Sequence, residues 1–260
     1  MTQKLLDFAT DTALGAGEII RGKYGRLKTW RTKEGRGDIV TEADTEAEYL
    51  IIQRIQRAFP SHNILTEESG SLPGDAEDLT WYVDPLDGTG NYARGIPFFC
   101  TTLAVARGAE LLAAATYDPL RMEMFKASAG NGAYLNRRRL RLTQDANLED
   151  AMVSISWSRR RPGSDRFPLY IQRLAPRTSY LRRFGSAALA IAYAAAGRID
   201  AYIQGAITPW DIAAGVLLVS EAGGTVTGFG GEPVDLSSTY SAIVAANSAL
   251  HERLLKEVLS

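Results

Sequence analysis

The stretch that most constrains this chain is Trp81-Tyr82-Val83-Asp84-Pro85-Leu86-Asp87-Gly88-Thr89-Gly90-Asn91-Tyr92, which passes from apolar strand to acidic, glycine-bearing turn within a few residues. Trp81, Tyr82 and Val83 favour β structure. Pro85 has no N–H to give a sheet ladder, so the pattern predicts a strand that stops with Asp84 at its carboxyl end, where ligands gather in α/β sheets. Pro85 fixes its own φ and Gly88 permits a positive one, so the chain can fold sharply and aim Asp84 and Asp87 at a common space. Two carboxylates converging there repel each other. A hard divalent cation removes the conflict, and Mg²⁺ takes a few carboxylate oxygens while keeping water and substrate phosphate as its other ligands. Gly88 and Thr89 are then expected to open a short helix whose free N–H groups face an anion, with Gly95 and Pro97 ending it. A metal beside an anion hole points to phosphate chemistry.

The rest of the sequence narrows the possibilities. At 260 residues and 45% hydrophobic composition the chain has enough apolar material for a sizeable core, as one large domain or two intimate halves. A formal net charge of −1 argues against a general electrostatic grip on nucleic acid or anionic membrane. No apolar run is long enough to span a bilayer and no leader stands at Met1, so a cytoplasmic location is expected. The single Cys100 excludes an intramolecular disulfide and a cysteine-cluster metal site, and is expected to be a plain core residue. The two histidines, His62 and His251, fall in polar surroundings and are expected to face solvent. A histidine-dependent nucleophilic triad is therefore not expected, which leaves carboxylates for acid–base or metal work.

Helical spacing predicts an opening amphipathic helix over residues 3–24. A second helix is marked by Thr45-x-x-Glu48 read as a capping box, with Asp44 at its entrance either as a plain capping acid or as a site residue. Lys33 to Gly37 reads as a mobile loop between them. Asn63 to Thr66 reads as a short strand leading to Glu67-Glu68, a pair that by itself fits a solvated turn, and Gly70 to Asp78 as a surface excursion. Beyond the central stretch, apolar runs at 98–107, 111–117, 123–127 and 133–135 have meander spacing and predict an antiparallel sheet. From about Asp145 strands at 151–156 and 201–204 alternate with helical patterns at 168–174 and 187–196, which predicts an α/β half. Two halves, 1–144 and 145–260, are thus expected in a single unit with no linker. Arg159-Arg160-Arg161 with Pro162-Gly163 is the most basic run and reads as a solvated loop. Asp211 heads a helix whose small residues Ala213, Ala214 and Gly215 allow close approach to another backbone; as a bare N-cap it is unremarkable.

The central stretch resembles the Asp-Pro-(Ile/Leu)-Asp-Gly-Thr-x-Asn-(Phe/Tyr) signature of the inositol monophosphatase family of metal-dependent sugar phosphatases. Asp38-Ile39-Val40-Thr41-Glu42-Ala43-Asp44 resembles the family's upstream Asp-x-Val-Thr-x-x-Asp, Leu65-Thr66-Glu67-Glu68-Ser69 its Glu-Glu-Ser segment, and Trp210-Asp211 with Glu221-Ala222-Gly223-Gly224 its downstream motif. Four motifs in the family's order span nearly the whole chain. The resemblance implies a layered αβαβα sandwich, commonly dimeric, that hydrolyses inositol or sugar phosphates without a phosphoenzyme and is lithium-sensitive. It implies two or three Mg²⁺ ions: one held by Glu67, Asp84 and the Leu86 carbonyl, a second by Asp84, Asp87 and Asp211, and often a third near Glu67. Thr89, oriented by Asp44, would join Glu67 in positioning the attacking water, while the Gly88 and Thr89 amides hold phosphate oxygens. The turn Gly185-Ser186-Ala187, with Asp211, would touch the substrate's ring hydroxyls.

Two departures bear on substrate. Where the family's animal enzymes carry a glutamate that accepts inositol hydroxyls, this chain has Gln204, whose amide both donates and accepts and is uncharged. Gly90 replaces a common threonine, but Asn91 keeps the sugar-phosphatase form of the motif. Inositol monophosphate is the expected substrate, with fructose-1,6-bisphosphate and histidinol phosphate as rivals. A Mg²⁺-binding partner protein without catalysis is the alternative of another class.

Overall fold

A computed structural model describes residues 2–26, 30–32, 39–75, 79–145, 147–157, 166–238 and 241–260. The Lys33–Gly37 loop, Asp38 and the Arg159–Gly163 run therefore lie outside the described residues.

The first half packs two helices, α1 (Thr2–Lys23) and α2 (Glu42–Ala58), onto an eight-stranded sheet. A small ladder of β1 (Arg31–Thr32) and β2 (Ile39–Val40) precedes α2. The sheet holds β3 (Asn63–Thr66), β4 (Gly70–Leu72), β5 (Leu79–Asp87), β6 (Cys100–Arg107), β7 (Glu110–Asp118), β8 (Glu123–Ser128), β9 (Gly132–Leu135) and β10 (Arg138–Arg139), with the short helix α3 (Thr89–Ala93) after β5. Its order is β10-β9-β8-β7-β6-β5-β3-β4, antiparallel throughout except that β3 runs parallel to β5. The predicted meander is thus the body of this sheet. The second half contains β11 (Met152–Ser156), α4 (Phe167–Leu174), β12 (Tyr180–Arg182), α5 (Ala187–Ala195), β13 (Ala201–Ile207), α6 (Pro209–Glu221), β14 (Gly224–Thr227), β15 (Ser241–Asn247) and α7 (Ser248–Leu254). Its five strands form a mixed sheet ordered β12-β11-β13-β15-β14.

Three apolar cores define the layers. α1 and α2 cover one face of the large sheet, α5 and α6 fill the space between the two sheets, and α4 and α7 cover the outer face of the small one. The result is the predicted αβαβα sandwich. Layering explains why α5 and α6 are apolar on nearly every side: both of their faces meet a sheet. The two helices also meet each other closely, as the small residues of α6 anticipated. A Cβ on Gly215 would lie 2.4 Å from Ile191 Cγ2, so only hydrogen fits there.

Five expectations need correction. The central strand does not stop at Asp84 but continues to Asp87 across a bulge: Asp84 pairs with Thr102 and Asp87 with Cys100, three steps on β5 against two on β6. Pro85 sits inside that bulge, where its missing N–H breaks no regular ladder bond. The extra residue also matters for direction, since residues three apart on a regular strand point to opposite faces and the bulge turns Asp84 and Asp87 the same way. The capping box of α2 lies one turn earlier than Thr45-x-x-Glu48. Thr41 is the N-cap, its hydroxyl accepting from Ala43 N at 3.2 Å, and Asp44 accepts from Thr41 N at 2.8 Å. Asp211 is not the N-cap of its helix; Thr208 is, with Pro209 in the first turn, where no N–H is missed. Neither histidine faces solvent fully. His62 stacks on Phe59 and accepts from Trp81 Nε1 at 3.0 Å, while His251 is buried with Nε2 2.9 Å from Thr227 Oγ1. Within the expected surface excursion, Gly70–Leu72 is a strand, and residues 76–78 lie outside the described residues.

The close contact at Gly215 makes a quantitative expectation. Gly215→Ala gains up to about 1 kcal/mol of helix propensity, but overpacking costs typically about 1–3 kcal/mol. We expect net destabilisation of about 1 kcal/mol by urea unfolding; a more stable variant would show that α5 and α6 are not packed this tightly.

Candidate active site

The bulge at the end of β5 and the starts of α3, α5 and α6 surround a cavity of about 530 Å³. Its lining includes Glu67, Asp84, Leu86, Asp87, Gly88, Thr89, Gly185 and Asp211. Eight of the residues singled out from sequence therefore share one wall. Asp44, Ser186 and Ala187 stand just behind it, each bonded to a residue of that wall, and Gln204 lies on β13 outside the lining set.

Oxygen atoms of Asp84, Asp87 and Asp211 all lie within 4.8 Å of one another. Each carboxylate is held by hydrogen-bond donors that the fold brings to it. Asp84 Oδ1 accepts from Leu86 N at 2.9 Å across the bulge. Asp87 is gripped by the start of α5: Ser186 Oγ donates to Oδ2 at 2.5 Å, Ala188 N to Oδ2 at 2.7 Å and Ala187 N to Oδ1 at 3.1 Å. A carboxylate suits this position because the first N–H groups of a helix have no internal partner and attract anions. The hydroxyl and amide assigned from sequence to ring hydroxyls thus also hold Asp87. Asp211 Oδ2 accepts from Thr208 Oγ1 at 2.6 Å.

Gly88 occupies φ +94°, and a Cβ there would lie 3.0 to 3.2 Å from Ser186, Phe98 and Phe99. Both the backbone turn and the close approach require glycine. Thr89 Oγ1 is 2.9 Å from Asp44 Oδ1 and 2.9 Å from Leu86 O. Both partners are acceptors, and a hydroxyl has one proton, so Thr89 donates to one of them and its remaining lone pair can accept. Asn91 Nδ2 donates to Phe98 O at 2.8 Å and Phe184 O at 2.7 Å, tying the central motif to the turn before α5.

Gln204 is half-buried, and its side-chain oxygen accepts from the Tyr202 hydroxyl. The arginines Arg94 and Arg183 also line the cavity and went unrecognised in the sequence. Each lies within three residues of a recognised motif, and no spacing signal distinguishes them from ordinary surface arginines.

Burial is the largest cause of every carboxyl shift here. It raises Asp84 well above the usual range, with the charges of Glu67, Asp87 and Asp211 adding to it, and raises Asp87 in spite of its three donors. Asp211 is pushed up to about 7 by burial and then by Asp87 and Glu67. Asp44 is pushed up to about 6, again by burial, which outweighs its bonds to Thr41 and Thr89. Ionising all of these carboxyls together would place more negative charge in the site than it can solvate without a cation. Its donor set is all oxygen, which suits a hard divalent cation.

A search for known relatives agrees with this geometry. The family model described as "Inositol monophosphatase family" matches residues 1–260. The chain belongs to the inositol monophosphatase family. A Pseudomonas aeruginosa relative named Nus factor SuhB is 39% identical over 262 residues, covering 98% of this chain and 96% of that protein. A Thermotoga maritima relative named fructose-1,6-bisphosphatase/inositol-1-monophosphatase is 36% identical over 255 residues, covering 97% and 95%. Among solved structures, the extragenic suppressor protein suhB of Bartonella henselae superposes with a TM-score of 0.92 at 33% identity, covering 98% of each chain. Membership in this family makes the protein a phosphatase of small phosphate esters, with an acidic cluster that could hold a metal ion. Among the described residues no helix is long and apolar enough to cross a membrane.

The carboxyl shifts set a pH dependence for the metal-free protein. A carboxyl whose folded pKa exceeds its unfolded value of about 3.9 binds protons more tightly when folded. The fold therefore loses stability as pH rises from that value through about 7, the folded value of Asp211. In excess chelator we expect a higher Tm at about pH 5.5 than at about pH 8, with Mg²⁺ at the higher pH restoring it. A Tm that is flat or rises with pH in chelator would contradict the account of the cluster.

Proposed function

We propose that this chain is a Mg²⁺-dependent phosphomonoesterase that hydrolyses inositol monophosphate, with tolerance for related sugar phosphates. The observation that carries the reading is the convergence of Asp84, Asp87 and Asp211 within 4.8 Å at the wall of a small-molecule-sized cavity. Glu67, Asp84 and the Leu86 carbonyl would hold one ion and Asp84, Asp87 and Asp211 a second, and Glu67 would also stand beside any third. Such ions, when bound, make water a nucleophile at neutral pH and neutralise charge on the transferring phosphoryl and the leaving oxygen.

The chain's own residues do the rest. Thr89, with its proton directed to Asp44 or Leu86, has a lone pair free for the attacking water, which Glu67 would help to orient. The amides of Gly88 and Thr89 hold phosphate oxygens at the start of α3. Gly185 and Asp211, which line the cavity, would meet ring hydroxyls, with Ser186 and Ala187 behind them holding Asp87. Gln204 is the weakest of the substrate assignments, because the Tyr202 hydroxyl already uses its oxygen. An amide so engaged grips ring hydroxyls less than a carboxylate, which supports breadth over strict inositol specificity. Arg94 and Arg183 add positive charge to a cavity that must admit an anion.

A second reading has one observation behind it: a relative 39% identical is named Nus factor SuhB. A protein-partner role of that kind is compatible with an active enzyme, and the retained acidic cluster favours catalysis as the first reading.

Phosphate release from inositol 1-phosphate, fructose-1,6-bisphosphate and histidinol phosphate, with and without Mg²⁺, tests the proposal. Activity should vanish in excess chelator. Asp84→Asn and Asp211→Asn should each lower kcat by about 10²-fold or more, the scale of losing one electrostatic contact to a transition state, while the proteins stay folded. The double variant should be hardly worse than either single, as for residues that act as a unit. Full turnover in chelator, or near-normal rates from folded Asp84→Asn, would contradict the reading.

A further inference from the structure

Helix α2 carries two buried carboxylates one turn apart on one face, Asp44 and Glu48. Asp44 holds Thr89, as described above. Glu48 has no part in that scheme, yet it is only 4% exposed and fully engaged. Its Oε1 accepts from Thr66 Oγ1 at 2.5 Å, from Glu68 N at 3.1 Å and from Ser69 N at 3.1 Å, and its Oε2 accepts from Ser69 Oγ at 2.6 Å. These donors stand on both sides of Glu67 in the chain. Glu67 itself donates its N–H to Val83 O at 3.2 Å, one residue before Asp84. The turn that presents Glu67 is therefore fastened at two places, to the strand that carries the acidic cluster and to α2.

We propose that Glu48 is a positioning residue that sets the Glu67 carboxylate relative to Thr89 and Asp84. The inference rests on the phosphatase reading in taking Glu67 as the group that addresses water and cation. Four residues apart on one rigid helix, Asp44 and Glu48 lie on the same face. One fixes Thr89 and the other the turn of Glu67, so α2 sets the spacing of the two groups that flank the water. A carboxylate suits the position: both of its oxygens accept with negative charge, whereas an amide keeps one acceptor oxygen, carries no charge and would require the Ser69 hydroxyl to reverse from donor to acceptor, weakening the hold on the turn.

The test compares wild type, Glu48→Gln, Glu67→Gln and the double variant, with three readouts: kcat and KM for phosphate release, Mn²⁺ affinity by calorimetry, and thermal unfolding. Misplacement of a catalytic group by about 1 Å can cost about 10²-fold in rate, so Glu48→Gln should lower kcat by about 10- to 100-fold with KM changed little, and weaken Mn²⁺ binding as Glu67→Gln does. Because Glu48 acts through Glu67, its substitution should add almost nothing in the Glu67→Gln background. Losses that multiply in the double variant, or a lowered Tm with unchanged kcat and Mn²⁺ affinity, overturn the proposal. If Glu48→Gln does not fold, Ser69→Ala, which removes one donor and keeps the carboxylate, decides: a drop in kcat absent from the Glu67→Gln background supports the proposal, and no drop overturns it. If wild type releases phosphate from no ester, the phosphatase reading fails and the Mn²⁺ titration decides alone. Matching losses in Glu48→Gln and Glu67→Gln then uphold the positioning role, and unchanged affinity in Glu48→Gln, or no Mn²⁺ binding by wild type, overturns it.

Discussion

The crowding of three carboxylates, Asp84, Asp87 and Asp211, in a site shielded from water is the constraint on which the rest of this structure depends. Asp84, Asp87 and Asp211 lie closer to one another than exposed acids tolerate without cost, and burial pushes all three toward holding protons. A chain free to relax would turn them outward to water. Here each is held in place by groups that cannot readily move: the bulge of β5 for Asp84, the first amides of α5 for Asp87, and the first turn of α6 for Asp211. Holding like charges together before any ion arrives is a form of preorganisation, since the ordering is already done when a cation binds.

The layers of the sandwich make that restraint possible. The cluster lies where the large sheet meets the two helices sandwiched between the sheets, so residues 84–89 face both the start of α5 and the start of α6. α2 reaches the same place from the opposite layer, through Asp44 to Thr89 and through Glu48 to the turn of Glu67. Elements from three layers therefore converge on one small volume, and Gly88 is glycine there because Ser186, Phe98 and Phe99 leave no room for a side chain.

The central stretch was legible in its own residues because it is short and locally determined, whereas Glu67, Asp44 and Asp211 were assigned by the resemblance to the family. A strand followed by Pro85 and Gly88 must end in a turn, and Asp87-Gly88-Thr89 must open α3, whatever the distant packing. The meander at 98–135 was equally plain, since alternating apolar runs and turn residues act over a few positions. What escaped depended on contacts far along the chain. That Pro85 sits in a bulge and not at a strand end follows from pairing with Cys100 and Thr102 on β6. Thr45-x-x-Glu48 has the form of a capping box, but Glu48 was drawn away to Thr66 and Ser69, and Thr41 with Asp44 capped the helix instead. His62 and His251 look polar in their own segments, yet aromatic neighbours and Thr227 enclose them. Ser186 was assigned to the substrate by the family resemblance, and nothing local shows that its hydroxyl also holds Asp87, 99 positions away.

The central claim is that Asp84, Asp87 and Asp211 form a cation site prepared in advance by the fold. Its most direct test is a crystal structure of the protein grown with Mn²⁺ and measured at the manganese absorption edge. The account predicts anomalous peaks within coordination distance of those three carboxylates, one of them also reached by Glu67, with β5, α5 and α6 unmoved. Absence of a peak at the cluster, or carboxylates that swing outward to bind ions elsewhere, would contradict it.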